Sequence, residues 1–275
     1  MLSTRDTLLK IRAVRNIQQI CRAMKTVSSI KLRKAEERII AARPYAATLQ
    51  MMAARLAGVD STHPLLEVRD VRRTGIIAIS ADKGLAGSYN TTLIREASRL
   101  VRAQDDALTI PIGRKVADAF RKSGFATDMT ISPIGTTPEF RTFAALADRV
   151  GAQYTQQACD RVYLIYSRYG GGITTQQLLP IVPDPGEEVF ADFIAEPNPE
   201  AILDQLLPRY LRTQIFTAVL SAVAAEHAAR VAAMSLATEN AEDLISQLTM
   251  DYNKSRQSAI TLELGDIVGA AEALR

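Results

Sequence analysis

The chain's 275 residues are 47% hydrophobic and 23% charged, an ordinary globular composition with room for a sizeable core. Aromatic residues make up 5% and tryptophan is absent, so a base-stacking platform for single-stranded nucleic acid is poorly supplied. A net charge of +3 is too small to name a partner, and two cysteines, Cys21 and Cys159, are too few for a disulfide framework; free or paired, they fit a reducing compartment.

The opening residues, Met1-Leu-Ser-Thr-Arg-Asp, carry no apolar signal-peptide core. No stretch reaches the roughly 18 apolar residues of a spanning helix, so membrane association is expected only through partners. No proline precedes Pro44 and no glycine precedes Gly58. This uninterrupted segment predicts a helix over residues 1–58, with Ser3 or Thr4 as its cap and Asp6 in its first turn. Ala13, Ile17, Ile20, Met24 and Val27 step by four and three residues, the rhythm of a coiled-coil seam. A helix of this length extends about 80 Å, longer than a typical domain is wide.

The middle, over residues 70–195, is rich in turn signals and reads as an α/β domain. Strands are expected at Gly75–Ser80, Leu108–Ile112, Arg161–Tyr166 and Gln177–Val182, the last an edge strand because it contains Pro180. A helix is expected over Thr91–Arg102, and the alternation favours a mainly parallel sheet. The chain then has no glycine between Gly186 and Gly265, and Pro208 is its last proline, which predicts a second long helix over residues 200–275 with a kink or late start at Pro208. Leu248, Tyr252, Ser255, Ala259 and Leu262 give one seam, and Ile260, Leu264, Ile267, Ala271 and Leu274 a neighbouring face, so this end is expected to be enclosed on more than one side. Gly265 and Gly269 inside the pattern each cost about 1 kcal/mol against alanine unless close packing offsets it. Pairing the two long helices antiparallel hides both seams and leaves the middle as an insertion.

Catalytic chemistry finds few parts. The turn Asp82-Lys-Gly-Leu-Ala-Gly87 lies between strand and helix, where phosphates bind, but it has neither dinucleotide nor P-loop spacing; a tight βα turn is the simpler reading. Gly170-Gly-Gly172 reads as a flexible hairpin rather than an anion cradle. His63 and His227 are the only histidines and neither has a ligand-spaced companion, so no metal site is expected. His227, beside Glu226 and Arg230, reads as a surface or packing residue. Charge location is more telling: residues 1–43 carry eleven basic and three acidic residues, a local charge of +8. A helix this basic suits an acidic protein surface, nucleic acid or anionic lipid, or is simply a solvated face.

Five stretches carry a resemblance. Ile11-Arg-Ala-Val-Arg-Asn-Ile-Gln-Gln-Ile-Cys-Arg-Ala-Met-Lys-Thr-Val27, followed by Lys31-Leu-Arg-Lys34, resembles the N-terminal signature of the gamma subunits of F-type ATP synthases. Ala228-Ala-Arg-Val-Ala-Ala-Met234 and Ala237-Thr-Glu-Asn-Ala241 are similar to that family's late helix, and Tyr252-Asn-Lys-Ser-Arg-Gln-Ser-Ala-Ile-Thr261 with Asp266-Ile-Val-Gly-Ala-Ala271 to its closing signature. Ser80–Gly87 with Asn90, and Leu178-Leu-Pro-Ile181, look like its central motifs.

The resemblance implies a long antiparallel coiled coil of the N- and C-terminal helices with an inserted Rossmann-like α/β domain that holds no nucleotide. It implies a non-catalytic rotor shaft, without cofactor or metal, peripheral on the cytoplasmic face of a bacterial inner membrane. The implied partners are three alpha and three beta subunits, the epsilon subunit and the membrane c-ring, with no nucleic acid and no direct membrane insertion. It places Met24 and Lys25 near an acidic lever segment of the beta subunit, Arg230, Arg256, Gln257, Thr261 and Glu263 in coupling and stator contacts, and Glu196 at the ring-facing foot. Ala86, Val231 and Leu262 depart from the residues usual at these places, and the cysteine-bearing insertion of chloroplast gammas is absent, so no thiol regulation of that kind is expected. The alternatives are a basic coiled-coil module that binds nucleic acid or anionic membrane, and a nucleotide-dependent enzyme built on residues 70–190.

Overall fold

The computed structural model describes residues 4–57, 63–182 and 198–273. Its elements run α1 (Thr4–Ala57), β1 (Thr74–Ile79), α2 (Tyr89–Arg102), β2 (Ala107–Ile112), α3 (Arg114–Lys122), α4 (Phe140–Thr155), β3 (Arg161–Ser167), β4 (Ile173–Leu179) and α5 (Pro199–Ala273). They fall into two units: Met1–Ser28 with Val231–Arg275, and Ser29–Arg230.

The first unit is a pair of helices. Lys25 reaches Ser235 and Gln18 reaches the Thr238 carbonyl, so rising numbers on α1 meet falling numbers on α5: the pair is antiparallel. The α1 residues facing α5 are Thr7, Ile11, Val14, Gln18, Cys21, Met24 and Ser28. Met24 lies on the face as expected, while Val14, Gln18, Cys21 and Ser28 lie one residue on from the expected Ala13, Ile17, Ile20 and Val27, about 100° around a helix. Ile17, Ile20 and Val27 are instead 55%, 59% and 51% exposed. Spacing alone does not choose between the two faces: the inner seam mixes Thr7, Gln18, Cys21 and Ser28 with Ile11, Val14 and Met24, while Ile17, Ile20 and Val27 stand outside.

On α5 the seam runs Met234, Thr238, Ala241, Ile245, Leu248, Tyr252 and Ser255. The expected positions 248, 252 and 255 hold; Ala259 and Leu262 are exposed, as are Ile260, Leu264 and Ile267. By then the described part of α1 has ended, so within the chain α5 has lost the helix it packs on. A Cβ added at Gly265 would meet nothing within 4 Å.

The second unit carries a four-stranded sheet in the order β2-β1-β3-β4. β1 pairs parallel with β2 and β3, and β4 pairs antiparallel with β3 at the edge. Alternate side chains of β1 enter different cores, which is why Gly75-Ile-Ile-Ala-Ile-Ser80 reads as one unbroken apolar run. Ile77 and Ile79 meet α4 (Phe143, Leu146, Val150), the later part of α1 (Leu49, Ala53, Leu56) and the start of α5 (Leu207, Leu211, Ile215). Ile76 and Ala78 face α2 and α3 through Ala97, Val101, Val116 and Phe120. The edge strand starts four residues and ends three residues earlier than expected, because Pro180 has no N–H to continue the ladder and ends it at Leu179. Gly170–Gly172 makes the β3–β4 hairpin turn, closed by Arg168 N–H to the Gly172 carbonyl at 3.0 Å.

Pro208 does not delay α5, whose helix runs through it, so the late start expected there is absent. The helix starts at Pro199, where a missing N–H costs nothing, behind an Asn198 cap whose Oδ1 accepts the Ala201 N–H at 2.8 Å. The carbonyl that Pro208 leaves without a helical donor belongs to Asp204, an exposed residue whose backbone water can reach. Within Glu200–Gly265, α5 also contains a stretch long and apolar enough to cross a bilayer, contrary to the sequence reading; half of that stretch is buried inside the protein, as in the core helix of a globular domain.

Candidate partner-binding surface

In the two-helix unit the outer face of α1 presents Leu9, Ile17, Ile20 and Val27, and α5 presents Leu236, Leu244, Met250, Leu262, Leu264 and Ile267, all between 43% and 68% exposed. Arg12, Arg15 and Arg22 lie between the α1 residues and are exposed. A helix with a filled inner seam and a second apolar stripe outside is shaped to be enclosed by other chains, and the interleaved arginines suit an acidic enclosure.

The residues singled out from the sequence fall into two zones of this unit. Met24 is half-buried and Lys25 exposed, its Nζ 3.0 Å from Ser235 Oγ. Arg256, Gln257, Thr261 and Glu263 are exposed on α5. The Arg256 guanidinium lies 6.0 Å from the Tyr252 ring centre, and Thr261 Oγ1 donates to the Gln257 carbonyl at 2.9 Å. Some 20 residues of helix, about 30 Å, separate Ser235 from Arg256, so the two zones meet different parts of a partner. Glu196 lies outside the described residues.

Arg230, at the end of the second unit, is placed differently: it is 7% exposed. Its Nη2 is 2.6 Å from Glu226 Oε1 and donates to the Gly84 carbonyl at 3.2 Å, with Nη1 3.2 Å from His227 Nδ1. Burial raises the Glu226 carboxyl, against the opposing pull of Arg230. Burial first, then the Arg230 and Lys31 charges, hold His227 down to about 4, so it is neutral and its Nδ1 accepts from Arg230.

Gly84 belongs to the turn after β1, which its neighbours brace. The Asp82 carboxylate takes the Arg114 N–H at the start of α3 (3.1 Å) and the Ile134 and Gly135 N–H groups (2.8 and 3.3 Å). The carboxylate thus takes the first N–H of α3, where a helix end favours an anion, and ties the turn to the loop at 134–135. Gly113, at φ +95°, lets the chain pass against β1, since a Cβ there would lie 2.2 Å from the Ser80 carbonyl oxygen. Asn90 braces the same turn, accepting the Ala81 N–H and donating to the Lys83 carbonyl. Leu85 at its tip has φ +61° and is 63% exposed.

A leucine in that conformation costs about 1–2 kcal/mol, while glycine's extra chain entropy costs about 0.5–1. Leu85→Gly is therefore expected to raise the isolated chain's stability by up to about 1 kcal/mol, read from the urea midpoint. A fall in the midpoint would mean that Leu85 makes a stabilising contact within the chain.

Sequence reasoning missed Asp82 and Leu85 as structural agents and gave Glu226 no role; the Glu-x-x-x-Arg spacing of 226 and 230 was the available signal. Both cysteines are free and buried, and burial with Asp160 beside it pushes Cys159 up to about 11. Among the described residues no three metal-ligating side chains are gathered.

The ATP synthase family model matches residues 3–274. The ATP synthase gamma chains of Desulfitobacterium hafniense and Heliobacterium modesticaldum are 43% and 39% identical to this chain, in each case over all of both proteins. The chain belongs to the ATP synthase gamma chain family. The fold is also that of a solved chain in the rotor of Euglena gracilis mitochondrial ATP synthase, with a TM-score of 0.71 at 19% identity, covering 94% of this chain and 98% of that one. A chain from the Tetrahymena thermophila mitochondrial ATP synthase central stalk and c-ring gives 0.60 at 23%, covering 79% and 99%. Family membership supplies the enclosing partners that the outer stripe calls for.

Proposed function

We propose that this chain is the central rotor shaft of an F-type ATP synthase, coupling rotation of the membrane ion-carrying ring to ATP synthesis or hydrolysis at the alpha/beta hexamer. The observation that carries this reading is the outward stripe of Ile17, Ile20 and Val27 on a helix whose inner seam is already filled. In a gamma chain, such a stripe is a bearing surface against the hexamer.

The shaft is non-catalytic. Its two helices present unlike faces to a threefold surround, so each rotor angle favours a different conformation in each beta subunit, and that differential contact energy links rotation to nucleotide affinity. Met24 and Lys25 contact the acidic lever segment of a beta subunit. Arg256, Gln257, Thr261 and Glu263 contact the hexamer around the end of α5, while Arg230 acts from inside the chain. Residues 1–58 and 200–275 form the shaft and 70–195 the globular part, which with Glu196 faces the epsilon subunit and the c-ring. The complex places the chain on the cytoplasmic face of a bacterial inner membrane.

Reconstitution tests this. The purified chain is mixed with alpha and beta subunits from the same source, the complex is isolated by gel filtration, and ATP hydrolysis is assayed with and without the chain. Co-elution at one copy per hexamer with sustained hydrolysis is the expected outcome. A chain that elutes alone while alpha and beta assemble normally, or that binds DNA or anionic vesicles tightly without them, would sink the reading.

A further inference from the structure

The cluster around Arg230 is more elaborate than a helix surface needs. The guanidinium is held by two acceptors on its own helix, Glu226 one turn back and His227 three residues back, and by a third on another element, the Gly84 carbonyl. Glu226 and His227 fix the plane of the fork; without them a long arginine side chain has many rotamers and no reason to favour the turn. Replacing a buried ion pair by packed apolar residues is often neutral or stabilising, so stability alone does not account for its presence here. What the cluster does is attach the turn to α5. The turn is braced as well by Asp82 and Asn90, and it meets α5 a second time through Ala86 and Tyr89, which pack with Ala225 and Ala229, Tyr89 Oη donating to the Ala222 carbonyl at 3.0 Å. A turn anchored on every side, with one apolar residue displayed at its tip, is a rigid presentation.

Resting on the rotor reading above, we propose that Glu226 and His227 are positioning residues that hold the Arg230 guanidinium on the Gly84 carbonyl and so clamp the Leu85 turn to α5, making the turn move with the shaft helix under torque. Under torque a loose turn lags behind the helix; a clamped one moves with it. Loss of the clamp therefore loosens coupling under load, not nucleotide turnover itself.

The test uses the whole complex in vesicles, comparing ions pumped per ATP hydrolysed against an opposing gradient. The variants are Glu226→Leu and His227→Leu, each beside its conservative partner, Glu226→Gln and His227→Gln. Hydrogen exchange over residues 81–90 is followed in the same complexes. The first two variants are expected to lower ions per ATP by about two- to fivefold and to speed exchange over 81–90, while unloaded hydrolysis stays within about twofold of the parent. The conservative variants, which keep an acceptor for Arg230, are expected to recover most of the ratio. An unchanged ratio in Glu226→Leu and His227→Leu, or unchanged exchange over 81–90, would overturn the clamp. So would equal loss in the conservative pair. If the parent chain supports no pumping, the rotor reading fails instead, and exchange over 81–90 alone decides whether the clamp exists.

Discussion

Met24→Lys is expected to cut ATP-driven ion pumping by the assembled complex about tenfold, a coupling loss of about 1.4 kcal/mol, while complex recovery falls far less. Met24 sits half-buried where α1 leans on α5, beside Lys25. A lysine there does not fit the partly apolar site, so its ammonium extends toward solvent or toward whatever encloses the helix. If the enclosing surface is the acidic lever of a beta subunit, the added charge strengthens one angular position of the rotor relative to the next. The rotor then stalls in that position, since coupling depends on differences between states and not on tight binding in any one of them. Assembly is spared because the inner seam of Thr7, Ile11, Cys21 and Ser28 is untouched. Pumping per ATP in sealed vesicles checks this against Met24→Leu, which keeps the volume without the charge. Equal pumping by the two variants would show that no acidic partner surface lies within reach of position 24.

The outline of this molecule is legible in its sequence because its breaks are sharp. The long glycine-free and proline-poor runs at either end have no other stable form than helix, and the apolar run at Ile76–Ile79 has few alternatives to a doubly buried strand. The seam of α1 was misjudged because periodicity gives the spacing of a buried face but not which of two faces is buried. Ile17, Ile20 and Val27 repeat with the same rhythm as Gln18, Cys21 and Ser28 one position on, and hydrophobicity alone selects the set that stays exposed in the chain. The misreading was informative, since an apolar stripe left outside the fold marks where the chain is enclosed. The role of Pro208 was hidden for a different reason: whether a proline breaks a helix depends on whether water reaches the orphaned carbonyl, which is a tertiary fact. The clamp at Arg230 joins residues 146 apart in sequence and depends on a backbone carbonyl, which has no side-chain signature.

The same limitation applies to the residue whose loss is expected to harm the fold most. Asp160→Ala should destabilise the chain by about 3–5 kcal/mol, because it breaks a buried ion pair and leaves two backbone donors without an acceptor. Asp160 is 8% exposed; its Oδ2 accepts the Arg72 and Arg73 N–H groups at 2.9 Å each, and its Oδ1 lies 3.2 Å from Arg69 Nε. Arg69 in turn lies 4.3 Å over the Tyr154 ring and donates to the Cys159 carbonyl, while Tyr154 Oη donates to the Glu67 carbonyl at 2.6 Å. One carboxylate thus fastens the segment leading into β1 to the end of α4 and the start of β3. Burial pushes Asp160 upward, but the Arg73 and Arg72 amides and the Arg69 charge together outweigh it and hold the group below the usual carboxylate range. A group depressed in the folded state contributes fully above its unfolded pKa, about 4, and loses that contribution as pH falls through the lower folded value. The parent's guanidinium midpoint should therefore fall steeply below about pH 4, and the variant, lower throughout, should fall less there. Some acid slope remains in the variant, because Asp128, held down by its hydrogen bonds to Arg149, behaves in the same way. Asp160→Asn separates charge from shape: it keeps an oxygen for the amides and loses the attraction to Arg69. A midpoint close to the parent's for Asn and far below it for Ala would make the backbone amides the main dependants of Asp160; similar losses in both would make Arg69 the main one.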